Sequence, residues 1–215
     1  MISEMQDYYH HRAGIYDESM GYNNPDVVQA LRPLIDHLVQ RFEGKFLLEI
    51  ACGPGFWTQH LAASATSILA TDYNESTLAE ARKKNLGANV DLRVADAYRL
   101  PDFSGTFNAS FAGDWFCHVP IRQRENFLRG LHAALSPGST IIFCDQSSRK
   151  ELLTEDFDSE GNHLQTRTLP DGRTFSVIKN FPGKTEIEDL LAPFSDDVRI
   201  TDFPEVRRYL IEYIL

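Results

Sequence analysis

The chain has 215 residues, 42% of them hydrophobic and 24% charged, and its 31 acidic and 21 basic residues give a net charge of −10. This length suits a single domain with a full core, and no apolar run approaches the roughly 20 residues that a membrane-spanning helix needs. Because the balance is acidic and no basic run occurs, neither nucleic acid nor a membrane is expected as a partner.

The first predicted elements surround a glycine turn. Residues 25–42 have a helical pattern, but Pro33 in the middle predicts a kink or a split into two helices. KFLLEI, residues 45–50, is typical of a buried strand, and residues 56–63 predict a helix. That helix opens directly after a Gly-Pro-Gly turn, so free backbone N–H groups are expected to converge there, as they do in ligand sites.

Strands and helices then alternate along the chain. Asn74 can cap a helix. Residues 121–135 predict a helix with one apolar face, and the Ser-Pro-Gly sequence that follows predicts its end. Helix-length connections between strands predict right-handed crossovers, and therefore a parallel sheet with helices on both faces and ligands at its carboxyl edge. The strands are predicted at residues 67–72, 90–96, 107–113 and 139–145.

Two later segments lie outside this alternation. Residues 165–179 place Pro-Asp-Gly between two β-prone runs, which predicts a hairpin in the right position to cover a site. The end of the chain predicts one helix and two strands that complete the sheet. We therefore expect one domain that consists of an N-terminal helical segment (1–42), a ligand-binding core (43–145), an insertion with the hairpin (146–182), and a C-terminal helix with strands (183–215).

The cysteines and the N-terminus indicate a cytoplasmic protein. Cys52, Cys117 and Cys144 are odd in number, lie far apart and show no C-x-x-C spacing, which argues against disulfides and against a zinc site. Adjacent His10 and His11 point apart on a helix, so no metal site is predicted. The first residues have neither the basic start nor the apolar core of a secretory signal.

The glycine turn narrows the choice of ligand. A dinucleotide site needs G-x-G-x-x-G, but Gly53 and Gly55 are followed by Thr58, so the third glycine is missing. No G-x-x-x-x-G-K-[ST] occurs, so the phosphate-loop interpretation fails.

Several separated motifs resemble those of the class I S-adenosylmethionine-dependent methyltransferases, in their small-molecule branch. The first reads Glu49-Ile50-Ala51-Cys52-Gly53-Pro54-Gly55, an acid followed by small residues at alternate positions. Ala51 stands where the family usually has glycine, which is compatible with alanine if the φ of that residue is negative.

The resemblance implies roles for residues after three further strands and in the N-terminal segment. As in similar enzymes, Asp72 would accept hydrogen bonds from the ribose hydroxyls, and Asp96 would contact the adenine ring. Gly113 and Asp114, after strand four, would lie near the methionine part. Two residues of the opening segment, a Tyr and an Arg, would contact the carboxylate of the cofactor. The implied cofactor-binding residues are Tyr9, Arg12, Glu49, Ala51, Gly53, Gly55, Trp57, Asp72, Tyr73, Asp96, Ala97, Gly113 and Asp114.

The resemblance covers residues 8–145 and implies a fold and an activity. The expected fold is α/β and Rossmann-like, with a seven-stranded, mostly parallel sheet, an antiparallel last strand, and helices on both faces. The N-terminal helical segment and the hairpin insertion would form a lid. The cofactor would be S-adenosylmethionine (SAM), with S-adenosylhomocysteine (SAH) as the product. The acceptor would be a small molecule, because the motifs of DNA methyltransferases, Asn/Asp-Pro-Pro-aromatic and Pro-Cys, do not occur.

Alternatives stay open at this point. Glu49 could cap a strand, Trp57 could be core rather than a wall for a cationic sulfonium, and His118 could be a structural hydrogen bonder rather than the catalytic base. The protein could instead be a nicotinamide-dependent oxidoreductase that uses the glycines and Asp72, or a SAM-binding protein without turnover. The sequence does not identify the acceptor, its methylated atom or the oligomeric state.

Overall fold

The computed structural model describes residues 2–103, 105–147 and 156–215. Its seven-stranded sheet has the order β3-β2-β1-β4-β5-β9-β8, and a separate two-stranded sheet pairs β6 with β7. The strands are β1 (Phe46–Ile50), β2 (Ser67–Asp72), β3 (Val90–Val94), β4 (Phe107–Gly113), β5 (Leu135–Gln146), β6 (Leu164–Thr168), β7 (Thr174–Ile178), β8 (Val198–Phe203) and β9 (Arg208–Ile214). The α-helices are α1 (Ile2–Arg12), α2 (Tyr16–Met20), α3 (Pro25–Arg41), α4 (Phe56–Leu61), α5 (Glu75–Ala81), α6 (Arg124–Ala133) and α7 (Lys184–Leu191).

Strands β1 to β5 are parallel, and β9 runs antiparallel between β5 and β8. This confirms the predicted seven-stranded sheet with an antiparallel last strand. The strand order reverses between β1 and β4, since β2 and β3 extend to one side and β5 to the other. Such a reversal opens a crevice at the carboxyl edge of the sheet.

Both faces of the sheet are covered by apolar side chains of helices. On one face, Leu34 and Leu38 of α3 pack with Phe111 of β4. On the other face, Phe127 of α6 packs around the stacked rings of Phe116 and Phe143, whose centroids lie 4.9 Å apart. The prediction of helices on both faces is therefore confirmed.

Two local predictions differ from the structure. The split predicted as one outcome at Pro33 does not occur, because Pro33 lies inside one continuous helix, α3, in which Leu34 and Leu38 are buried against the core. Asn74 precedes α5, but its side chain makes no cap hydrogen bond. Instead its amide donates to the carbonyl of Gln6 in α1, at 3.1 Å.

The N-terminal helix and the predicted hairpin pack against each other. Met5 and Tyr8 of α1 form a small apolar cluster with Leu169 and Val177 of the hairpin. The Glu4 carboxylate accepts a hydrogen bond from a backbone N–H of β7, at 2.7 Å. Segments from opposite halves of the chain thus form one layer beside the carboxyl edge of the sheet.

Alanine substitutions at two glycines test the conformation of the turn that precedes α4. Gly55 has a φ of +78°, and a Cβ there would lie 3.3 Å from the Cβ of Ala81, whereas a Cβ on Gly130 of α6 would have nothing within 4 Å. We expect Gly55→Ala to lower the free energy of unfolding by about 1–2 kcal/mol and Gly130→Ala to raise it by about 0.5–1 kcal/mol. Urea denaturation measures both, and equal stability of the two variants would contradict the left-handed turn.

Candidate functional site

The turn after β1 is left-handed at three positions. Ala51 has a φ of +52°, Gly53 of +56° and Gly55 of +78°. The condition under which alanine would be favourable at this position, a negative φ, is therefore not met, and alanine there costs about 1–2 kcal/mol. Hydrogen bonds hold the turn despite this cost. The N–H of Cys52 donates to the carbonyl of Thr71 at 2.9 Å, and the N–H of Gly55 donates to the carbonyl of Cys52 at 3.0 Å.

Asp72, the last residue of β2, joins this turn to the neighbouring strand. Its Oδ2 accepts from the N–H of Gly53 at 3.0 Å, and its Oδ1 accepts from the N–H of Asn74 at 2.8 Å. Burial raises the pKa of Asp72, an effect that the N–H of Asn74, the hydroxyl of Thr77 and the N–H of Gly53 oppose. The carboxylate lies in the wall of the cavity described below, where it can also accept a hydrogen bond from a ligand hydroxyl.

Glu49 lies beside the turn rather than on the wall of the cavity described below. The residue is 1% exposed, and its Oε2 has no hydrogen-bond partner among the described residues. Burial raises the pKa of Glu49 to about 8, which the hydroxyl of Thr58 opposes and the charge of Asp72 increases. The predicted pair of acids at adjacent strand ends therefore exists, with Asp72 facing the cavity and Glu49 behind it.

A cavity lies where these strands end. It contains about 790 Å³ of space, part of it open to solvent, between α1, the ends of β1, β2 and β4, and the loop after β3. Most of the predicted site residues line it, namely Tyr9, Ala51, Gly53, Asp72, Tyr73, Asp96, Ala97, Gly113, Asp114 and His118.

Four predicted cofactor-binding residues do not line the cavity. Glu49 lies beside the turn, and the Cα of Gly55 faces the side chain of Ala81. Trp57 belongs to the core, and its indole would lie only 2.6 Å from a Cβ on Gly113. The Arg12 guanidinium donates to the Ser19 hydroxyl at 2.7 Å.

Asp114 follows β4 with a φ of +54° and is held by a buried ion pair. Its Oδ1 accepts from Arg208 of β9 at 2.7 Å, with side-chain exposures of 6% and 5%, and the Tyr22 hydroxyl donates to its Oδ2 at 3.3 Å. Although burial acts to raise the pKa of Asp114, the Arg208 guanidinium lowers it below its usual value. Arg208 also lies 5.5 Å from the ring centroid of Trp57.

His118 lies in the short helical turn after β4 and is 3% exposed. Its Nδ1 bonds to the backbone carbonyl of Ile178, and its Nε2 lies 2.9 Å from the hydroxyl of Tyr9. Burial lowers the pKa of His118 to about 3, and the nearby Lys179 ammonium lowers it further. The imidazole is therefore neutral near pH 7, with both nitrogens engaged by the protein.

Other residues of the cavity wall were missed. The indole N–H of Trp115 and the hydroxyl of Tyr98 are buried donors without a partner among the described residues. Both directly follow predicted site residues, which is the signal that could have found them. No comparable signal marks Arg208, because only folding brings it to the site. The further lining residues are Met5, Gln6, Tyr16, Pro54, Thr71, Asn74, Thr77, Ala95, Tyr98 and Trp115.

Known proteins are similar to this chain in sequence and in fold. Residues 47–138 match a family model described as a methyltransferase domain. The ubiquinone biosynthesis O-methyltransferase of Azotobacter vinelandii is 28% identical over 106 residues, which is 48% of this chain and 45% of that relative. A tabtoxin biosynthesis enzyme of Pseudomonas amygdali pv. tabaci is 27% identical over 50% of this chain and 42% of the relative. These matches thus span less than half the length of the curated relatives.

A solved structure matches over nearly the whole chain. The DhpI–SAM–HEP complex is 28% identical, with a TM-score of 0.81 over 99% of this chain and 96% of the other. The DhpI–SAH complex matches at 28% identity with a TM-score of 0.77, over 99% of this chain and 95% of that one.

The fold, the left-handed turn after β1 and these similarities define the class. The chain has the Rossmann-like fold of the class I SAM-dependent methyltransferases, and its residues 47–138 match a methyltransferase domain. This confirms the resemblance drawn from the motifs. Across residues 2–103, 105–147 and 156–215, no helix is long and apolar enough to span a bilayer.

Replacement of Asp72 tests the cofactor end of the cavity. We expect Asp72→Ala to weaken SAH binding at least about tenfold, because about 1.5–3 kcal/mol of charge-assisted hydrogen bonding is lost. Titration calorimetry measures the affinity, and the thermal transition checks that the variant is folded. Asp202→Ala, an exposed position on β8, is the control. Unchanged SAH affinity in Asp72→Ala would contradict the assignment.

Glu49 predicts a pH dependence of stability. The unfolded chain releases the Glu49 proton near pH 4.5, whereas the folded chain keeps it up to about pH 8. The ionisation of Glu49 therefore lowers the free energy of unfolding of the wild type as the pH rises from 4.5 to about 8, and Glu49→Gln removes this loss. From pH 5 to pH 8 we expect the stability of the variant relative to wild type to rise by a few kcal/mol, because each pH unit in this window contributes about 1.4 kcal/mol. Urea denaturation at several pH values measures it, and a flat difference would contradict the raised pKa.

Proposed function

We propose that the protein transfers a methyl group from SAM to a small-molecule acceptor. The observation that carries this proposal is the cavity at the carboxyl edge, where Asp72 secures the glycine turn and still offers acceptor positions. The likeness to DhpI across nearly the whole chain supports it, since that protein has been solved with SAM and with SAH. When bound, SAM would supply a sulfonium methyl group for in-line attack by a nucleophile of the acceptor, with the thioether as the leaving group.

The residues present fit an adenosyl group and a methionine part. Asp72 offers carboxylate oxygens to a vicinal diol, and the unpartnered hydroxyl of Tyr98, which follows Asp96 and Ala97, offers a hydrogen bond to a heterocycle. Gly53 leaves open space where a Cβ would stand, so the backbone can approach the ligand closely. We assign the adenine end to Asp96 and Ala97, and the methionine end to Gly113.

The other end of the cavity suits the acceptor. Tyr9, Tyr16, Trp115 and His118 form a largely aromatic wall there, and α1 screens it from water. Exclusion of water favours the reaction, because the charge of the sulfonium disappears as the thioether forms. The chain's own residues thus supply mainly orientation and a water-poor site.

We also infer that residues 1–42 and the hairpin act as a lid within a single domain. Their mutual packing supports this, as does the position of Met5, Gln6 and Tyr9 in the cavity wall. Opening of this layer would admit both ligands, and closure would exclude water. A cytoplasmic location without a nucleic-acid partner is supported by three free, buried cysteines and by the net charge of −10.

Methyl transfer is tested directly with SAM labelled on its methyl group. The candidate acceptors are HEP, which is present with SAM in the DhpI structure, and an ultrafiltered small-metabolite extract. We expect label in a small-molecule product, with inhibition by SAH and loss of rate in Asp72→Ala at limiting SAM. Tight SAH binding without any incorporation would overturn the proposal in favour of a binding protein.

A further inference from the structure

A hydrogen bond joins the N-terminal helix to the turn after β4 at the wall of the cavity. The hydroxyl of Tyr9 lies 2.9 Å from Nε2 of His118, and both residues line the cavity, at the end that we assign to the acceptor. We propose that Tyr9 is the catalytic residue that receives the proton of the acceptor, and that His118 is a positioning residue that acts only through Tyr9. This inference rests on the proposed methyl transfer and departs from the expected role of Tyr9 in binding the cofactor carboxylate.

The hydrogen-bond partners determine the direction of this bond. A backbone carbonyl can only accept, so the carbonyl of Ile178 requires the proton of the imidazole to be on Nδ1. Nε2 of the neutral ring is then an acceptor, and the Tyr9 hydroxyl must donate to it. The lone pairs of the Tyr9 oxygen remain available to an O–H or N–H group in the cavity. Because Nε2 already accepts the hydrogen bond of Tyr9, a methyl acceptor in the cavity contacts the Tyr9 oxygen rather than Nε2.

Both partners are held firmly. The Tyr9 ring packs edge-on to Tyr8, with centroids 5.0 Å apart, and at 5.6 Å from the His118 ring. The turn that carries His118 is fixed on both sides of Cys117, whose N–H donates to Asp145 at 3.0 Å and whose carbonyl accepts from the N–H of Asn180 at 2.8 Å. The pair is therefore preorganised by α1, β5 and the segment after β7.

The charges around the pair favour neutral partners at rest. Lys179 and Arg167 act against an imidazolium at His118, while Asp114 favours it. Burial raises the pKa of Tyr9 to about 12, an effect that Lys179 and Arg12 oppose. Before the reaction, the phenolic proton is therefore on Tyr9 and Nε2 of His118 is unprotonated.

The proposed step balances in atoms and charge. As the methyl carbon bonds to the acceptor atom, the carbon–sulfur bond breaks and its electron pair stays on sulfur. The proton of the acceptor passes to the Tyr9 oxygen, while the phenolic proton of Tyr9 passes to Nε2 of His118. The positive charge of the sulfonium therefore ends on the imidazole ring, which releases its proton to water when the site opens. A methylated hydroxyl or amine is a much stronger acid than its parent, so a weak base suffices.

The test compares two neighbouring tyrosines of α1. Tyr9→Phe removes the hydroxyl in the cavity, whereas Tyr8→Phe makes the same change at a buried position outside the cavity wall. We expect Tyr9→Phe to lower the single-turnover rate at saturating SAM about 100-fold with HEP or the extract, and to change SAH affinity less than twofold. Tyr8→Phe should keep both values. An unchanged maximal rate with weaker SAH binding would overturn the proposal and restore the cofactor-binding role.

A double-mutant cycle tests His118 as a positioning residue. His118→Gln alone should lower the maximal rate about as much as Tyr9→Phe, and the double variant should be no slower than either, because the two side chains act as a unit. Additive losses of rate would mean that His118 acts independently of Tyr9, which contradicts the proposal.

A measurement without an acceptor separates this proposal from the proposed function. In the SAH complex of the wild type, nitrogen NMR should show His118 protonated on Nδ1 and unprotonated on Nε2. The Nε2 resonance should shift in Tyr9→Phe and stay in place in Tyr8→Phe. A proton on Nε2 would overturn the Tyr9 pairing, whereas a confirmed pairing without methyl transfer to any acceptor would count against the proposed function alone.

Discussion

The site depends on the hydrogen bonds of one carboxylate. Asp72 ends β2 and accepts the N–H of Gly53, which lies in the turn after β1, so two neighbouring parallel strands are joined at their carboxyl ends. The same side chain accepts the N–H of Asn74 and thereby shapes the start of α5. Because these donors hold Asp72 in place, its remaining lone pairs have a defined direction toward the cavity. The left-handed φ of Ala51 is maintained by this arrangement and by the bond between Cys52 and Thr71.

The end of the cavity that we propose for the acceptor is assembled from segments that are far apart in the chain. Tyr9 comes from the first helix, His118 from the turn after β4, and Ile178 from the end of the hairpin. Arg208 of the last strand neutralises Asp114. Each of these contacts crosses between separate elements, so the geometry of the acceptor end requires the sheet, the hairpin and α1 to be in place together. A lid that completes the site in this way would couple closure to methyl transfer.

Burial decides the ionisation of several groups around the cavity. It raises the pKa of Glu49 and lowers that of His118, so both side chains are largely neutral near neutral pH. Asp114 stays ionised because Arg208 compensates for its burial. A cationic ligand in the cavity therefore meets Asp114, which is paired with Arg208, Asp72, which backbone N–H groups hold, and Asp96 of the loop after β3. The surrounding neutral groups contribute shape and hydrogen bonds rather than charge.

The sequence by itself determined the alternation of strands and helices, the seven-stranded sheet and the glycine turn with Asp72 at the next strand end. Those features follow from local patterns, namely apolar periodicity and short motifs at strand ends. Local preference is overridden at two positions: the packing of Leu34 and Leu38 keeps α3 continuous through Pro33, and hydrogen bonds to β2 hold Ala51 at a positive φ. Only the tertiary structure decided that Trp57 is core, that Arg208 pairs with Asp114, and that Tyr9 meets His118. These contacts join residues distant in sequence, and no local pattern encodes which distant side chain arrives at a given point in space.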